Sequence, residues 1–319
     1  MKIICTFVRL QKSKFRMKLP EKLVQGDKIA IISSARKVVM EEIQFAIETV
    51  TSWGFEVVLG KNLFAQQNQF AGSDEQRAED LQTMLDDKSV KAILFARGGY
   101  GTVRVIDKIN FFEFKKNPKW ICGFSDITIL HSHIHSHFGI ATLHSPMAFN
   151  FSKTPADVLE KIKFVLLNST SLHYETEKNL LNKSGNAKGI LVGGNLSMLY
   201  SALGSESDVD TEGKILFLED LDEYLYHIDR MMMSLKRAGK LKNLAGLVIG
   251  GMNDMKDNTI PFGKNAEEII LDAVKEYDFP VCFNFSSGHI SNNFPLIFGR
   301  EIELSVGKKT MLTFNNGTA

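Results

Sequence analysis

Ser125 is the residue with the strongest potential for chemistry, because it follows the apolar run Trp120–Phe124 and precedes a sequence typical of a helix. A serine on a tight turn between a strand and a helix forms a nucleophile elbow, in which the hydroxyl is exposed and the free helix N–H groups face developing negative charge. This geometry suits acyl transfer. The usual pattern is G-x-S-x-G, and Ile127 stands in place of the last glycine. A serine that only caps the helix is the alternative.

A glycine-rich loop, Arg97-Gly98-Gly99-Tyr100-Gly101, follows the preceding apolar strand. Its glycines let the backbone approach a ligand and direct N–H groups at it, as oxyanion holes and phosphate-binding loops both require. Neither GxGxxG nor GxxxxGK[ST] is present, so the sequence gives little support to nucleotide binding. A tight turn without a function is the alternative.

Carboxylates in Phe217–Arg230 (FLEDLDEYLYHIDR) and a histidine in Ser286–His289 (SSGH) each follow an apolar strand. Ligand-binding and catalytic groups collect at the carboxyl ends of strands in α/β sheets. A single carboxylate, Glu219, that orients His289 is the simplest functional interpretation. A divalent-metal site would need a matching set of ligands, which the sequence does not show, and a solvated acidic turn is the remaining alternative.

The histidine-rich run HSHIHSH at 131–137, together with His144, suggests zinc at first sight. Alternate residues on a helix point about 200° apart, so these rings would not gather on one face. We therefore expect no metal and a partly exposed helix surface. Cys122, just before the elbow, is expected to be a small buried residue rather than a nucleophile.

The elements that must position these residues alternate between strands and helices. Strands are predicted at Lys28–Ser33 and Lys91–Ala96, a helix at Glu42–Trp53, and a second helix opened by a capping box at Ser73 and Gln76. Such alternation predicts an α/β fold with a parallel sheet covered by helices on both faces. The predicted segments are an extension over 1–16, an N-terminal domain over 17–165, a linker over 166–185 and a C-terminal domain over 186–319 that closes with a hairpin around Gly307.

Length and composition limit the classes of molecule that the protein is expected to bind. The 319 residues suggest two domains, and a net charge of +1 gives no reason to expect nucleic acid or an anionic membrane surface. Three scattered cysteines are too few for a disulfide framework. No apolar run has the roughly 18 to 20 residues of a membrane span, and the N-terminus lacks the pattern of a signal peptide. We expect a cytoplasmic protein that acts on a small molecule or a peptide.

Seven blocks between Met17 and Gly299 resemble the LD-carboxypeptidase family of serine peptidases and follow the order of that family. They are GDKIAIISSA, ARGGYGTVRVID, GFSDITILH, LHSPM, VGGNLSML, ILFLEDLDEYLYHIDRM and SSGHISNNFPLIFG. One departure is the HSPM of residues 144–147, where the family usually has HGPM. Collinear blocks are far more specific than any single motif.

The resemblance implies an N-terminal flavodoxin-like domain that carries the nucleophile and a smaller, swivelling-type C-terminal α/β domain that carries the acid and the base. Ser125 matches the nucleophile, Glu219 the carboxylate and His289 the base, and the amides of Asp126 and Gly99 match the oxyanion hole. The resemblance implies a homodimer, and it implies no metal or organic cofactor. The residues predicted to bind substrate are Arg97, Gly98, Tyr100 and Arg230, with Arg104 a further candidate for the terminal carboxylate.

The family has two branches with different substrates. One releases terminal D-alanine from murein tetrapeptides, and the other hydrolyses peptidyl-nucleotide antibiotics of the microcin type. The compact C-terminal half of this chain favours the murein branch. Because the three side chains come from both domains, we expect domain closure to control activity. Outside the family, a non-catalytic two-domain ligand-binding protein and a nucleotide-dependent transferase are the alternatives.

Overall fold

The computed structural model describes residues 17–168 and 171–314, so the predicted extension over 1–16 lies outside the described residues. The helices are α1 (Met40–Ser52), α2 (Asp74–Asp86), α3 (Thr102–Val105), α4 (Phe112–Lys116), α5 (Thr128–Phe138), α6 (Ala156–Asn168), α7 (Leu196–Ser201), α8 (Leu225–Arg237) and α9 (Ala266–Val274), with short 3₁₀ helices at Ile106–Lys108, Ser125–Ile127 and Ala148–Lys153. The strands are β1 (Lys28–Ile32), β2 (Glu56–Leu59), β3 (Val90–Phe95), β4 (Trp120–Gly123), β5 (Thr142–His144), β6 (Leu172–Thr176), β7 (Gly185–Asn195), β8 (Ile215–Leu221), β9 (Gly246–Asn253), β10 (Val281–Cys282), β11 (Leu296–Phe298), β12 (Glu301–Val306) and β13 (Thr310–Phe314).

The first sheet has the order β11-β5-β4-β3-β1-β2. Strands β1 to β5 pair in parallel, and β11 pairs antiparallel with β5. The order β2-β1-β3-β4-β5 is that of flavodoxin-like folds, in which ligands bind outside the carboxyl ends of the strands. The loops that follow β1, β3 and β4 therefore share one edge, and that edge holds the glycine loop and Ser125.

The second sheet has the order β10-β9-β8-β7-β12-β13-β6. Strands β7 to β10 pair in parallel, whereas β12, β13 and β6 form an antiparallel extension. Glu219 lies near the carboxyl end of β8, and His289 follows β10. The predicted fold class, a mixed α/β protein with a parallel first sheet and a second α/β unit, is confirmed.

Local sequence signals explain several elements. Ser73 accepts a hydrogen bond from the Gln76 amide, and the Gln76 side chain accepts one from the Ser73 amide, so the predicted capping box opens α2. The apolar face predicted for α1 is buried through Ile43, Ala46 and Val50. Helices cover both faces of the first sheet, and two apolar clusters separate them from it. The predicted hairpin joins β12 to β13.

Three strands were not predicted from the sequence. Strand β6 lies within the segment interpreted as a linker and pairs with β13. Strands β5 and β11 pair with each other, so a segment from near the end of the chain completes the first sheet. No helix among residues 17–168 and 171–314 is long and apolar enough to cross a membrane.

Candidate active site

Ser125 lies on the turn between β4 and α5. Its φ is +60°, in the left-handed region that residues other than glycine rarely adopt. Such a conformation costs on the order of 1–3 kcal/mol and is typical of functional turns. A side chain at Gly123 would meet Ile127 at 2.9 Å, which shows how tightly the turn is wound. The partly exposed Ser125 hydroxyl is thus held by the backbone, as a nucleophile elbow requires.

Glu219 and His289 form a close pair. The Nδ1 atom of His289 lies 2.6 Å from Oε2 of Glu219, and the backbone N–H of His289 donates to the same oxygen at 3.2 Å. The Glu219 side chain is 0% exposed and that of His289 is 17% exposed. Because a carboxylate only accepts hydrogen bonds, Nδ1 carries the proton and Nε2 is free to accept one. This is the tautomer that a general base needs.

The backbone around His289 is fixed by several buried contacts. Gly288 has a φ of +107°, and a Cβ atom there would lie 2.7 Å from the Glu219 side chain, so only glycine fits. The Gly288 amide donates to Asn293 Oδ1 at 2.8 Å, and the Ser287 hydroxyl donates to the carbonyl of Phe294 at 2.9 Å. The loop therefore presents His289 to Glu219 in one orientation.

Electrostatic interactions shift the pKa values of both partners in the direction that favours their charged forms. Burial alone would raise the pKa of Glu219, but the neighbouring His289 and its hydrogen bond hold that pKa below its ordinary value. Burial likewise lowers the pKa of His289, and the Glu219 charge and hydrogen bond outweigh it and raise the pKa above its ordinary value. A proton taken up by His289 is thus stabilised by Glu219.

The two sheets meet at these residues. The ring of Phe124, next to Ser125, lies 4.7 Å from the His289 ring between centroids. The backbone N–H of Asn195 donates a hydrogen bond to the hydroxyl of Thr128, in the first turn of α5, at 3.0 Å. This bond connects the helix after the Ser125 turn to the end of β7. The structure thus brings the serine turn against the histidine loop.

The glycine loop lies beside the serine. A Cβ atom on Gly98 would be 3.5 Å from Oγ of Ser125 and 3.1 Å from Cε of Met147. The buried carboxylate of Asp126 accepts a hydrogen bond from the Thr102 backbone amide at 2.8 Å, so the residue after Ser125 fixes the end of the glycine loop. Burial raises the pKa of Asp126, although hydrogen bonds from the loop oppose that shift.

The chain matches known proteins along most of its length. Residues 29–145 match the LD-carboxypeptidase N-terminal domain, and residues 188–304 match the LD-carboxypeptidase C-terminal domain. The chain belongs to the LD-carboxypeptidase family. The resemblance seen in the sequence is therefore confirmed.

Named relatives cover the same span. A Bacillus subtilis (strain 168) protein described as "Probable murein peptide carboxypeptidase" is 36% identical over 299 residues, which cover 91% of this chain and 92% of the relative. The murein tetrapeptide carboxypeptidase of Pseudomonas aeruginosa is 25% identical, with 86% of this chain and 91% of the relative covered. The crystal structure of muramoyltetrapeptide carboxypeptidase from Oxalobacter formigenes is similar with a TM-score of 0.83 and 27% identity, over 92% of this chain and all of that chain.

An MccF-like protein from Bacillus anthracis, also of known structure, is equally similar in fold. It shares 27% identity with a TM-score of 0.84, over 94% of this chain and all of that chain. Structures of the microcin C7 self-immunity protein MccF have the same TM-score at 20–21% identity, so for them the likeness is one of fold. The muramoyltetrapeptide carboxypeptidase, the MccF proteins and this chain thus share one architecture.

The predicted substrate-binding side chains make contacts with other parts of this LD-carboxypeptidase. Arg97 forms an ion pair with Glu42 at 3.3 Å and lies 4.0 Å from the Phe149 ring. The Tyr100 side chain is 45% exposed. Two further contacts involve the other arginines: Arg230 lies over Tyr226, and Arg104 pairs with Asp74.

Sequence reasoning missed Arg36, which follows β1 at the same sheet edge. A Cβ atom on Gly99 would lie 2.5 Å from Cδ of Arg36, so the arginine packs directly on the glycine loop. Within the described residues, the Arg36 guanidinium makes no hydrogen bond or ion pair. Its position after β1 was the available signal, because loops after adjacent parallel strands share an edge.

Two polar residues next to Glu219, Asp220 and Asn195, are buried and bound to each other. Asp220, which the sequence placed in an acidic turn, is buried, and it accepts hydrogen bonds from the Asn195 side chain and the Ser197 amide at 2.9 Å each. Burial and the neighbouring Glu219 charge raise the pKa of Asp220 to about 7. These bonds fix the ends of β7 and β8 beside the candidate site.

Histidines of the run at 131–137 make contacts inside the protein. The expected partly exposed surface was wrong for His131 and His135, which are buried. His131 Nε2 lies 2.9 Å from the Gly123 carbonyl oxygen, and burial lowers the pKa of His131 to about 4. Cys122 is buried as predicted, and burial raises the pKa of its thiol. Ser145, the departure from HGPM, has a negative φ, so its backbone does not require glycine.

Proposed function

We propose that Ser125, His289 and Glu219 act together as nucleophile, general base and orienting carboxylate of this LD-carboxypeptidase. The observation that supports this proposal most strongly is the 2.6 Å contact between His289 Nδ1 and the buried Glu219 carboxylate, beside a serine on a left-handed turn. His289 Nε2 takes the Ser125 proton as the hydroxyl attacks the scissile carbonyl. Glu219 holds the tautomer and stabilises the imidazolium that forms.

The oxyanion of the tetrahedral intermediate is proposed to accept hydrogen bonds from the backbone N–H groups of Asp126 and Gly99. Each preorganised donor of this kind contributes about 3 kcal/mol in acyl-transfer enzymes. The leaving amine takes its proton from His289, and water then attacks the acyl-enzyme with His289 as base again. Protons and charge balance without a metal or an organic cofactor.

The proposed substrate is a murein tetrapeptide, from which the enzyme releases the terminal D-alanine. The names of the B. subtilis, P. aeruginosa and O. formigenes relatives support this choice. A microcin-type peptidyl nucleotide is the second candidate, supported by the B. anthracis MccF-like structure at the same identity. Both substrates need the same acyl-transfer chemistry.

A carboxypeptidase also has to bind a terminal carboxylate, and we propose Arg36 for this role. The carboxylate carbon of the departing residue lies three bonds from the attacked carbonyl carbon, within about 4 Å. Gly98 packs on Ser125 and the next residue, Gly99, packs on Arg36, which matches this short span. Arg97, Gly98, Tyr100 and Arg230 remain predicted substrate contacts, and the cytoplasmic homodimer remains a prediction.

Mass spectrometry of muropeptides tests the function. The purified protein should convert tetrapeptide to tripeptide plus D-alanine, and Ser125→Ala should abolish this conversion while it leaves the circular dichroism spectrum unchanged. Ser52→Ala, on the exposed end of α1, is the matched control and should retain full activity. Release of D-alanine by Ser125→Ala at the wild-type rate would overturn the serine mechanism. Cleavage of a peptidyl nucleotide alone would favour the second substrate.

A further inference from the structure

Two buried side chains near the candidate base carry polar atoms without a hydrogen-bond partner in the described part of the chain. They are His144, at both Nδ1 and Nε2, and Glu219, at Oε1. Both side chains are 0% exposed. An unsatisfied buried polar atom is costly, so each such atom in a folded protein calls for an explanation.

The two side chains face the same small region. His144 ends β5 and lies opposite Gly123 of β4, two residues before Ser125. Its ring lies 5.2 Å from the Phe217 ring between centroids, and Phe217 is two residues before Glu219 on β8. The register of β8 shifts between Leu218 and Asp220, so strand alternation does not place Glu219, whose carboxylate instead lies against His289. The Phe124 ring lies against both His144 and His289, at 5.8 and 4.7 Å.

The charges around His144 favour its neutral form. Burial lowers the pKa of His144 to about 3, and the nearby His131 and His289 act in the same direction. The Glu219 charge opposes this shift, and the Asn293 side chain also faces the ring. The influence is mutual, because His144 lowers the pKa of Glu219. A neutral imidazole has one N–H to donate. Among the described residues, no hydrogen bond reaches Glu219 Oε1, although the Asn195 side chain also faces this carboxylate.

We infer that His144 is a positioning residue for Glu219, and that one buried water accepts the imidazole N–H of His144 and donates to Oε1 of Glu219. The inference rests on the proposed triad. With Oε2 held by His289 and Oε1 by His144, the carboxylate has no freedom to rotate. Glu219 therefore lies between two imidazoles, with His289 bound directly and His144 bound through the water.

Substitution of His144 tests this inference. His144→Phe keeps a ring in the cavity but has no N–H, and we expect kcat to fall about 10- to 100-fold, as for the loss of a hydrogen bond to a charged group, while KM changes by less than about twofold. With Oε1 uncompensated, Glu219 attracts the His289 proton more strongly. The acidic limb of kcat/KM should then move to higher pH. His144→Asn and His144→Gln, which retain an amide donor, should recover part of kcat.

A double-mutant cycle separates positioning from a general structural effect. In a Glu219→Gln background, His144→Phe should change single-turnover rates by less than about twofold, because the residue through which it acts is already altered. The same fold-loss in both backgrounds, or wild-type kcat in His144→Phe, would overturn the inference.

Proton NMR of the folded protein does not depend on the phenylalanine variant. Wild type should show two slowly exchanging downfield imidazole N–H signals, from His144 and His289, and Glu219→Gln should shift both. A His144 signal that Glu219→Gln leaves unmoved would contradict the inference. The experiments distinguish failure of the proposed triad from failure of this inference. If the triad is wrong, Ser125→Ala stays active. If only the inference is wrong, Ser125→Ala is inactive and His144→Phe has normal activity.

Discussion

The two halves of the candidate site are built differently. The nucleophile half, which comprises the Gly98–Gly101 loop and the Ser125–Ile127 turn, depends on backbone conformation, with a left-handed serine and glycines in close contact. The base half, which comprises Glu219 and the Ser287–Asn293 loop, depends on buried hydrogen bonds between side chains and backbone. Substitutions in the first half should therefore act through shape, and those in the second through charge.

Glu219→Gln should have the largest effect. Its amide would donate to His289 Nδ1 and fix the wrong tautomer, which costs about 10⁴-fold in kcat for a triad of this kind. Since the Glu219 charge raises the pKa of His289, its removal should move the acidic limb of kcat/KM to lower pH. Asp220→Asn is the matched control and should cost less than about tenfold, because an asparagine still accepts from Ser197. Equal losses in the two variants would contradict the specific role of the Glu219 charge in the second half.

Gly98→Ala should have an intermediate effect through shape. The added methyl group would lie 3.5 Å from Ser125 Oγ and 3.1 Å from Met147 Cε, so it narrows the approach to the serine. We expect about a tenfold loss of kcat/KM with an unchanged pH profile and melting temperature. Gly26→Ala has open space but a φ of +87°, so it should lower stability by about 1–2 kcal/mol and leave kcat/KM intact. A shifted pH profile in Gly98→Ala would contradict this division.

Arg36→Gln should have the smallest effect on the chemical step and should change specificity instead. Loss of a charge-assisted hydrogen bond predicts about a tenfold decrease in the preference for a free terminal carboxylate over a carboxamide. The ratio of kcat/KM for the two peptides measures this preference. Arg104→Gln, at an arginine that pairs with Asp74, is the control and should keep the wild-type ratio. An unchanged ratio in Arg36→Gln would remove the carboxylate assignment.

The sequence predicted what depends on local pattern. The capping box of Ser73 and Gln76, the apolar face of α1 and the turn at Ser125 lie within a few residues of their own signals. The order of blocks placed Glu219 and His289 in one site through resemblance to a family. That the two side chains would touch was beyond the reach of spacing alone, because 70 residues separate them.

What the sequence could not predict depends on contacts between distant segments. Strand β11 completes the first sheet only by pairing with β5, and three residues carry too short a pattern to identify it. The ion pair of Arg97 with Glu42 spans 55 residues, so an arginine in a glycine loop looked free for substrate. The burial of His131 and His135 likewise depends on packing against Phe298 of β11, and helical periodicity alone gave no sign of it.

The central claim is that Ser125 is activated by the Glu219–His289 pair, and covalent labelling tests it most directly. A fluorophosphonate should phosphonylate Ser125 with loss of fluoride, and peptide mass spectrometry should locate the adduct there. His289→Ala should slow the labelling at least about 100-fold in a protein with an unchanged melting curve. Labelling at another residue, or an equal rate in His289→Ala, would contradict the account.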